Sequence, residues 1–179
     1  EERPKHEYYK KMHACINYDK FFDEGKIRKA VAGYMGLCTF LDANVGTVLG
    51  ALDNSNLSSE TRVMYTSDHG ETLGKRGHWG KNTMFEESTS IPLIMAGPDI
   101  ESGKQVGTLV SQVDFYPTIL QLVGASANEA DKDLPGQSLL EISNGASSDR
   151  AIFSEYHATA AITGNSMIRD KNFKLFYFV

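Results

Sequence analysis

An apolar run that ends in a carboxylate, an imidazole and a glycine is the feature that most limits how this chain folds. The run is Val63-Met-Tyr-Thr-Ser67, and Asp68-His69-Gly70 follows it directly. A short continuous apolar run is typical of a strand buried on both faces of a parallel sheet. In an open α/β sheet, ligands bind at the carboxyl ends of such strands. The sequence therefore predicts a site where this strand ends.

Two residues at this strand end are metal-ligand types. Asp68 and His69 suit Ca²⁺, Mg²⁺, Mn²⁺ or Zn²⁺, but two ligands are too few to hold an ion alone. Consecutive side chains on a strand point to opposite faces, so both reach one ion only if the chain leaves the strand there, which Gly70 eases. The structural alternative is that Asp68 caps the following turn and His69 is a hydrogen-bonded core histidine.

A cation follows thirteen residues after Asp68, in the loop Gly77-His-Trp-Gly-Lys81. A lone lysine is usually a solvated surface group. Here, however, the glycines allow close backbone approach and Trp79 offers a rigid wall. In that setting Lys81 can act as a point charge on a tetrahedral oxyanion.

Composition sets the class of protein. The 179 residues, 41% of them apolar, are enough to bury one good core. A net charge of -5 without long charged blocks argues against a nucleic-acid or anionic-membrane partner. The sequence contains no uninterrupted run of 18 apolar residues, so it predicts no membrane-spanning helix. Cys15 and Cys38 form no C-x-x-C pair, and we expect Cys38 to be buried on the apolar stripe of a helix.

The first half of the chain contains one strong helical pattern. Residues 1–26 are charged, aromatic and aperiodic, which indicates an irregular surface segment. From Ile27 to about Leu52, apolar residues recur in steps of three and four, which predicts one long amphipathic helix. Its four glycines suggest close packing against a neighbouring backbone.

The second half predicts α/β structure followed by a small antiparallel region. Ile91-Pro-Leu-Ile-Met-Ala96 is a second buried strand, and a helix starts with Asp114 at its N-cap and ends before Gly124. After Arg150, the runs Ile152–Tyr156 and 167–177 predict an antiparallel hairpin that turns at Asp170-Lys-Asn172. We expect residues 1–149 to belong to an α/β core domain and residues 150–179 to begin a small antiparallel subdomain.

The motifs together resemble a known family. The run from Thr66 to Glu87, followed by Ile91-Pro-Leu-Ile-Met-Ala-Gly-Pro98, closely resembles the sulfatase family of the alkaline phosphatase superfamily. It is most similar to the choline-sulfatase and phosphonate-monoester-hydrolase branch, which uses Asp-His where many arylsulfatases use Asp-Asn. The resemblance implies an alkaline-phosphatase-like, mostly parallel sheet flanked by helices, with a small C-terminal antiparallel sheet.

The resemblance also assigns roles. It implies that Asp68 and His69 bind the divalent metal, Ca²⁺ or Mn²⁺ in the first place and Mg²⁺ or Zn²⁺ as alternatives. It implies that Lys81 contacts the sulfate or the leaving-group oxygen. The family's nucleophile is a formylglycine made from cysteine in C-x-P-S-R or C-x-A-G-R, and neither Cys15 nor Cys38 fits. We therefore expect the C-terminal half of an enzyme, whose N-terminal half supplies the nucleophile and two more metal-binding aspartates.

Three further side chains have open roles. His78 lines the substrate mouth as a donor in one interpretation, and lies on the surface or behind the site in the other. His157 either shapes the leaving-group pocket or makes structural hydrogen bonds. Arg76 is more readily an ion-pair partner within its loop than a substrate contact.

The predicted function is hydrolysis of a small-molecule sulfate ester with release of inorganic sulfate. The alternatives are a phosphonate monoester hydrolase or phosphodiesterase on the same scaffold, a non-catalytic sulfatase-like module, and an independent metal-binding domain. Tight 1:1 metal binding by these 179 residues alone would favour the last. Three properties stay open from the sequence. They are the identity of the alcohol that the reaction releases, the compartment, which is cytoplasmic or periplasmic, and whether the protein is a homo-oligomer.

Overall fold

A computed structural model describes residues 4–146, 149–159 and 161–179. They divide into two compact units. The first contains residues up to 101 together with 157–163, and the second contains 102–156 and 164–179. The domain boundary near residue 149 stays a prediction.

The N-terminal segment is helical, so the expectation of an irregular segment over residues 1–26 is wrong. Helix α1 spans Glu7–Ile16. The His6 ring accepts from the Tyr8 N–H at 3.2 Å at its start, and Asn17 ends it in the left-handed conformation with φ 53°. Tyr8, Tyr9 and Met12 are buried. Because these apolar residues stand among charged ones, the short helical face is hidden in the sequence.

The long predicted helix is confirmed as α2, Glu24–Asp53, which begins where the Asp23 carboxylate accepts from the Lys26 N–H at 3.1 Å. None of its side chains is buried within the described residues. Cys38 is exposed, so the expected burial of its thiol is wrong. Apart from the helix's own neighbouring backbone, no atom of the described residues lies within 4 Å of a Cβ built on the helix glycines at 33, 36, 46 and 50, so the close packing expected of them is not observed there. By length and composition α2 could also cross a membrane, a property that core helices of soluble proteins share.

Two strands of the first unit pair with each other. Strand β1, Val63–Thr66, runs antiparallel to β2, Leu93–Ala96, with Val63 opposite Ala96. The expectation of parallel strands buried on both faces is wrong for this pair, and Ile94 is 60% exposed. The physical reason is the connection: residues 67–92 hold a 3₁₀ turn at Lys75–Gly77 and the one-turn helix α3, Glu86–Thr89, rather than the long helix of a parallel crossover.

The second unit places its helices around a buried aspartate. Helix α4 spans Phe115–Val123 and ends at Gly124 with φ 68°, as predicted, and α5 spans Leu139–Ser143. Asp114 stands at the predicted N-cap position, but its side chain does not cap α4. It accepts instead from the backbone N–H groups of Ser111 at 2.7 Å and Gln137 at 2.9 Å. Both terminal guanidinium nitrogens of Arg150 also donate to it, at 2.8 and 3.0 Å.

The chain continues in a three-stranded antiparallel sheet of order β3-β4-β5, with β3 at Ile152–Tyr156, β4 at Asn165–Arg169 and β5 at Lys174–Phe178. The predicted turn between β4 and β5 is confirmed. The Asp170 carboxylate accepts from the N–H groups of Asn172 and Phe173 at 2.7 and 2.6 Å. Met167 of β4 is 1% exposed.

The buried aspartate gives the first test. Asp114 is 0% exposed, so Asp114→Ala leaves Arg150 and two backbone donors without their acceptor. We expect a loss of about 3–5 kcal/mol in the free energy of unfolding, measured by denaturant titration. The control Asp133→Ala changes an exposed aspartate and should stay within about 0.5 kcal/mol. Equal stability of the two variants would contradict this assignment.

Candidate active site at the end of strand β1

The chain turns immediately after β1. The Ser67 hydroxyl donates to the His69 carbonyl at 2.8 Å, and the His69 N–H donates to Asp68 Oδ1 at 2.9 Å. These bonds fold the three residues back on themselves. The Asp68 and His69 side chains, which would diverge on a continued strand, therefore reach the same side.

Gly70 fixes the path of the chain after this turn. Its N–H donates to the Ser88 carbonyl at 2.9 Å. A Cβ at this position would lie 2.1 Å from the Glu87 carbonyl oxygen. No side chain fits there, so glycine is required by close approach to α3 rather than by its φ angle.

Three functional groups converge around the His69 ring. Nδ1 lies 2.9 Å from the Gly70 carbonyl oxygen; because a carbonyl only accepts, Nδ1 carries the proton and Nε2 keeps its lone pair in the neutral ring. Asp68 Oδ2 lies 3.2 Å from Nε2, and the Lys81 amine contacts the same Nε2. The structure thus brings together Asp68, His69 and Lys81.

The carboxylate of this cluster is open to solvent, with 80% of its side chain exposed. Desolvation raises the pKa of Asp68, but the hydrogen bond from the His69 N–H and electrostatic attraction to the His69 and Lys81 side chains outweigh it. The net pKa lies below its ordinary value. Asp68 is therefore an anion at neutral pH, the form that binds a cation.

The donor set fits part of a metal site. A carboxylate oxygen and an imidazole nitrogen 3.2 Å apart can bind one divalent ion, and the hydrogen bond from Nδ1 orients the ring as histidine ligands commonly are. Across residues 4–146, 149–159 and 161–179, no group of three or more His, Cys, Asp or Glu side chains is arranged to hold an ion. Two protein ligands leave most of a coordination sphere open.

His78 lies inside the first unit, which excludes a place on the surface and leaves a place behind the site or at the substrate mouth as the predictions. It is 0% exposed. Its ring centroid lies 4.5 Å from that of His13, 5.3 Å from Tyr9 and 6.3 Å from Phe85. Helix α1, which the sequence did not predict, therefore covers it. A substrate-binding role for His78 stays a prediction.

Two other predicted side chains can be placed. His157 is exposed and directly follows β3, and its substrate-binding role stays a prediction. Arg76 is an ion-pair partner, as expected, since it donates to Glu87 at 3.0 Å and lies 4.8 Å over the Phe85 ring. Lys75 lies 3.2 Å from the same Glu87 carboxylate.

Sequence reasoning missed the contribution of Glu71 and Thr72. Both bind the backbone of Gly80, the residue before Lys81. The only sequence signal is their position directly after the Asp-His-Gly run. From that position their side chains can reach the loop that carries Gly80 and Lys81. Without coordinates nothing distinguishes them from ordinary loop residues.

Comparison with known proteins identifies the family of the chain. The family model "Sulfatase" matches residues 5–125, and the model "N-sulphoglucosamine sulphohydrolase, C-terminal" matches residues 74–179. The chain belongs to the sulfatase family, and the resemblance noted in the sequence is confirmed.

Similar curated proteins include arylsulfatase K of Rattus norvegicus, 37% identical, with 86% of this chain and 28% of that protein covered. Choline-sulfatase of Rhizobium meliloti is 33% identical, with 93% of this chain and 32% of that protein covered. The chain thus spans about a third of the length of these relatives.

Solved structures give the same fold. A protein solved in complex with its substrate, D-glucosamine-2-N,6-O-disulfate, superposes with a TM-score of 0.79 at 26% identity, covering 92% of this chain and 35% of that one. The phosphonate monoester hydrolase of Silicibacter pomeroyi gives 0.74 at 30% identity, covering 86% and 33%. The α/β fold class with a small C-terminal antiparallel sheet is therefore confirmed.

The ion pairs of the site loop make stability depend on pH. Burial raises the pKa of Glu87, but its backbone hydrogen bond and the cations of Lys75 and Arg76 outweigh this and hold the pKa below the ordinary 4.5. A lowered folded-state pKa means stabilisation that is full above pH 4.5 and is lost as pH falls through the folded value.

Glu87→Gln should therefore destabilise the protein at pH 7 by about 1–2 kcal/mol, and the difference from wild type should shrink as the pH falls below the ordinary pKa of a glutamate. Thermal unfolding across a pH series measures it. Glu86→Gln, at an exposed neighbour, is the matched control. A destabilisation by Glu87→Gln that is constant from acid to neutral pH would contradict the ion-pair account.

Proposed function

We propose that the protein is a sulfuric ester hydrolase that releases inorganic sulfate from a small-molecule sulfate ester. The observation that carries the proposal is the convergence of Lys81 and Asp68 on Nε2 of His69 at the exposed end of β1. Membership of the sulfatase family supports the same chemistry. The arylsulfatase and choline-sulfatase relatives extend that support to hydrolysis of an organic sulfate.

Lys81 is the proposed catalytic and substrate-binding cation. Hydrolysis of a sulfate ester places negative charge on the leaving oxygen in the transition state. An ammonium held by its neighbours offsets that charge without the cost of reorganising at the moment of reaction. The nearby carboxylate of Asp68 attracts the amine and keeps it beside the His69 ring.

Asp68 and His69 are the proposed ligands of a divalent metal, with Ca²⁺ or Mn²⁺ as the first candidates. A bound dication supplies Lewis-acid stabilisation of an anionic ester and acidifies a nucleophile beside it. The protein's part is to hold the ligand atoms, through the Nδ1 hydrogen bond to Gly70 and the Asp68 hydrogen bond to the turn. Remaining ligands are proposed to come from an N-terminal half of the same enzyme, together with a formylglycine nucleophile.

A phosphonate monoester hydrolase is the second candidate. The specific observation in its favour is the structural likeness to the Silicibacter pomeroyi enzyme, at 30% identity. Sulfate and phosphonate monoesters share a tetrahedral oxyanion, so the same lysine and metal ligands serve both. The two candidates are separated by comparing the rates at which the complete protein hydrolyses a sulfate ester, a phosphodiester and a phosphonate monoester that share one leaving group. No turnover of any would favour a non-catalytic module.

Removing the cation tests the catalytic proposal. In the complete protein, Lys81→Ala should lower kcat/KM for an aryl sulfate about 10²–10³-fold, the usual effect of losing one donor to a developing oxyanion. Released sulfate is the readout. Lys171→Ala, at an exposed lysine of the β4–β5 turn, is the control and should match wild type. A Lys81→Ala enzyme with wild-type kcat/KM would overturn the assignment.

Removing a ligand tests the metal proposal. Chelation should abolish turnover, and added Ca²⁺ or Mn²⁺ should restore it. Asp68→Asn should weaken metal binding at least about tenfold, since even outer-shell changes act on that scale. The metal concentration that restores half of the activity measures the effect, with Asp133→Asn as control. An unchanged half-restoring concentration in Asp68→Asn would exclude Asp68 as a ligand.

A further inference from the structure

The loop that carries Lys81 is held to the strand exit through one residue. The N–H of Gly80 donates to Glu71 Oε1 at 2.6 Å. The Gly80 carbonyl accepts from the Thr72 N–H at 2.9 Å and from the Thr72 hydroxyl. Both polar backbone atoms of Gly80 are therefore bound by two consecutive residues that follow Asp68-His69-Gly70 in the chain.

This attachment has its own support. Glu71 Oε1 also accepts from the Leu73 N–H at 3.3 Å, which keeps the carboxylate over the turn. Thr72 is 2% exposed, and its hydroxyl lies 3.4 Å from the Ser88 hydroxyl. Ser88 lies in α3, and its backbone carbonyl also accepts a hydrogen bond from the Gly70 N–H. The same short helix thus anchors both the start and the return of the loop.

The consequence concerns the lysine amine. A lysine side chain is flexible and loses much rotamer freedom when it is held in one place. Fixing the backbone of Gly80, which has a left-handed φ of 80°, fixes the origin of the Lys81 side chain beside the His69 ring. A displacement of about 1 Å in a catalytic group can cost about 10²-fold in rate.

We propose that Glu71 and Thr72 are positioning residues that hold the Lys81 amine beside the Asp68 and His69 side chains by binding the Gly80 backbone. The catalytic part of this inference rests on the proposed function of Lys81. The positioning part does not, because it concerns only where the amine lies.

Amine reactivity tests the positioning part. The protein is labelled with a limiting amount of acetic anhydride, and mass spectrometry measures the rate at Lys81 against that at Lys171. Glu71→Ala should raise the Lys81 rate several-fold, because the amine is released from its contact with His69. Glu71→Gln, which keeps an acceptor oxygen, should restore most of the protection.

Thr72→Val, which removes only the hydroxyl, should raise the rate less than Glu71→Ala, since the Thr72 N–H still binds Gly80. Unchanged labelling of Lys81 in both Glu71→Ala and Thr72→Val overturns the inference.

Kinetics in the complete protein test the catalytic part. Glu71→Ala should lower kcat about 10–100-fold with a smaller change in KM, and Glu71→Gln should recover most of the lost rate. In the Lys81→Ala background, Glu71→Ala should add little, because the two changes remove the same interaction. Fully additive effects would show that Glu71 acts elsewhere. Protection of Lys81 without turnover of sulfate or phosphonate esters by wild type would overturn the proposed function and leave the positioning role standing.

Discussion

Close approach of the backbone at Gly70 to helix α3 is the constraint on which the rest of this site depends. The chain leaves β1, turns through Asp68 and His69, and passes so near to Glu87 that a Cβ would lie 2.1 Å from its carbonyl oxygen. That passage sets the direction of the His69 ring through the Gly70 carbonyl. It also sets the start of the loop whose return presents Lys81 to the same ring. Leu73 and Arg76 adopt left-handed φ angles of 51° and 53° within this loop, a cost that dense hydrogen bonding and the Glu87 ion pairs offset.

A site built this way is incomplete by its own chemistry. Asp68 and His69 offer two donors, and Lys81 offers one cation. No nucleophile of the predicted kind occurs in the sequence, because neither cysteine stands in the expected motif. Helix α2 leaves large apolar side chains such as Leu37, Phe40 and Val48 exposed. The chain spans about a third of the length of its relatives, and our proposal that an N-terminal half completes the site accounts for the missing ligands.

Much of this architecture follows from local sequence signals. The sequence predicted features that act within a few residues. These are the three- and four-residue spacing of α2, the turn carboxylate at Asp170 and the C-cap at Gly124. Tertiary effects were not predictable in the same way. Helix α1 packs through Tyr9 against the distant residues His78 and Phe85, and the antiparallel pairing of β1 with β2 depends on the form of the intervening loop. The burial of His78 depends on α1. Motif order was enough to identify Asp68, His69 and Lys81 as a group. The hydrogen bonds of Glu71 and Thr72 to Gly80 could be identified only from coordinates.

The central claim is that the residue 68 carboxylate and the residue 69 imidazole act on one cation. Nuclear magnetic resonance of the histidine rings of the complete protein, five of which lie in these 179 residues, during titration with Mn²⁺ tests it most directly, because the paramagnetic ion broadens the signals of nearby nuclei. We predict that the His69 ring signals broaden first and that Asp68→Asn removes this selectivity. A His69 ring that stays sharp while other histidines broaden would contradict the account.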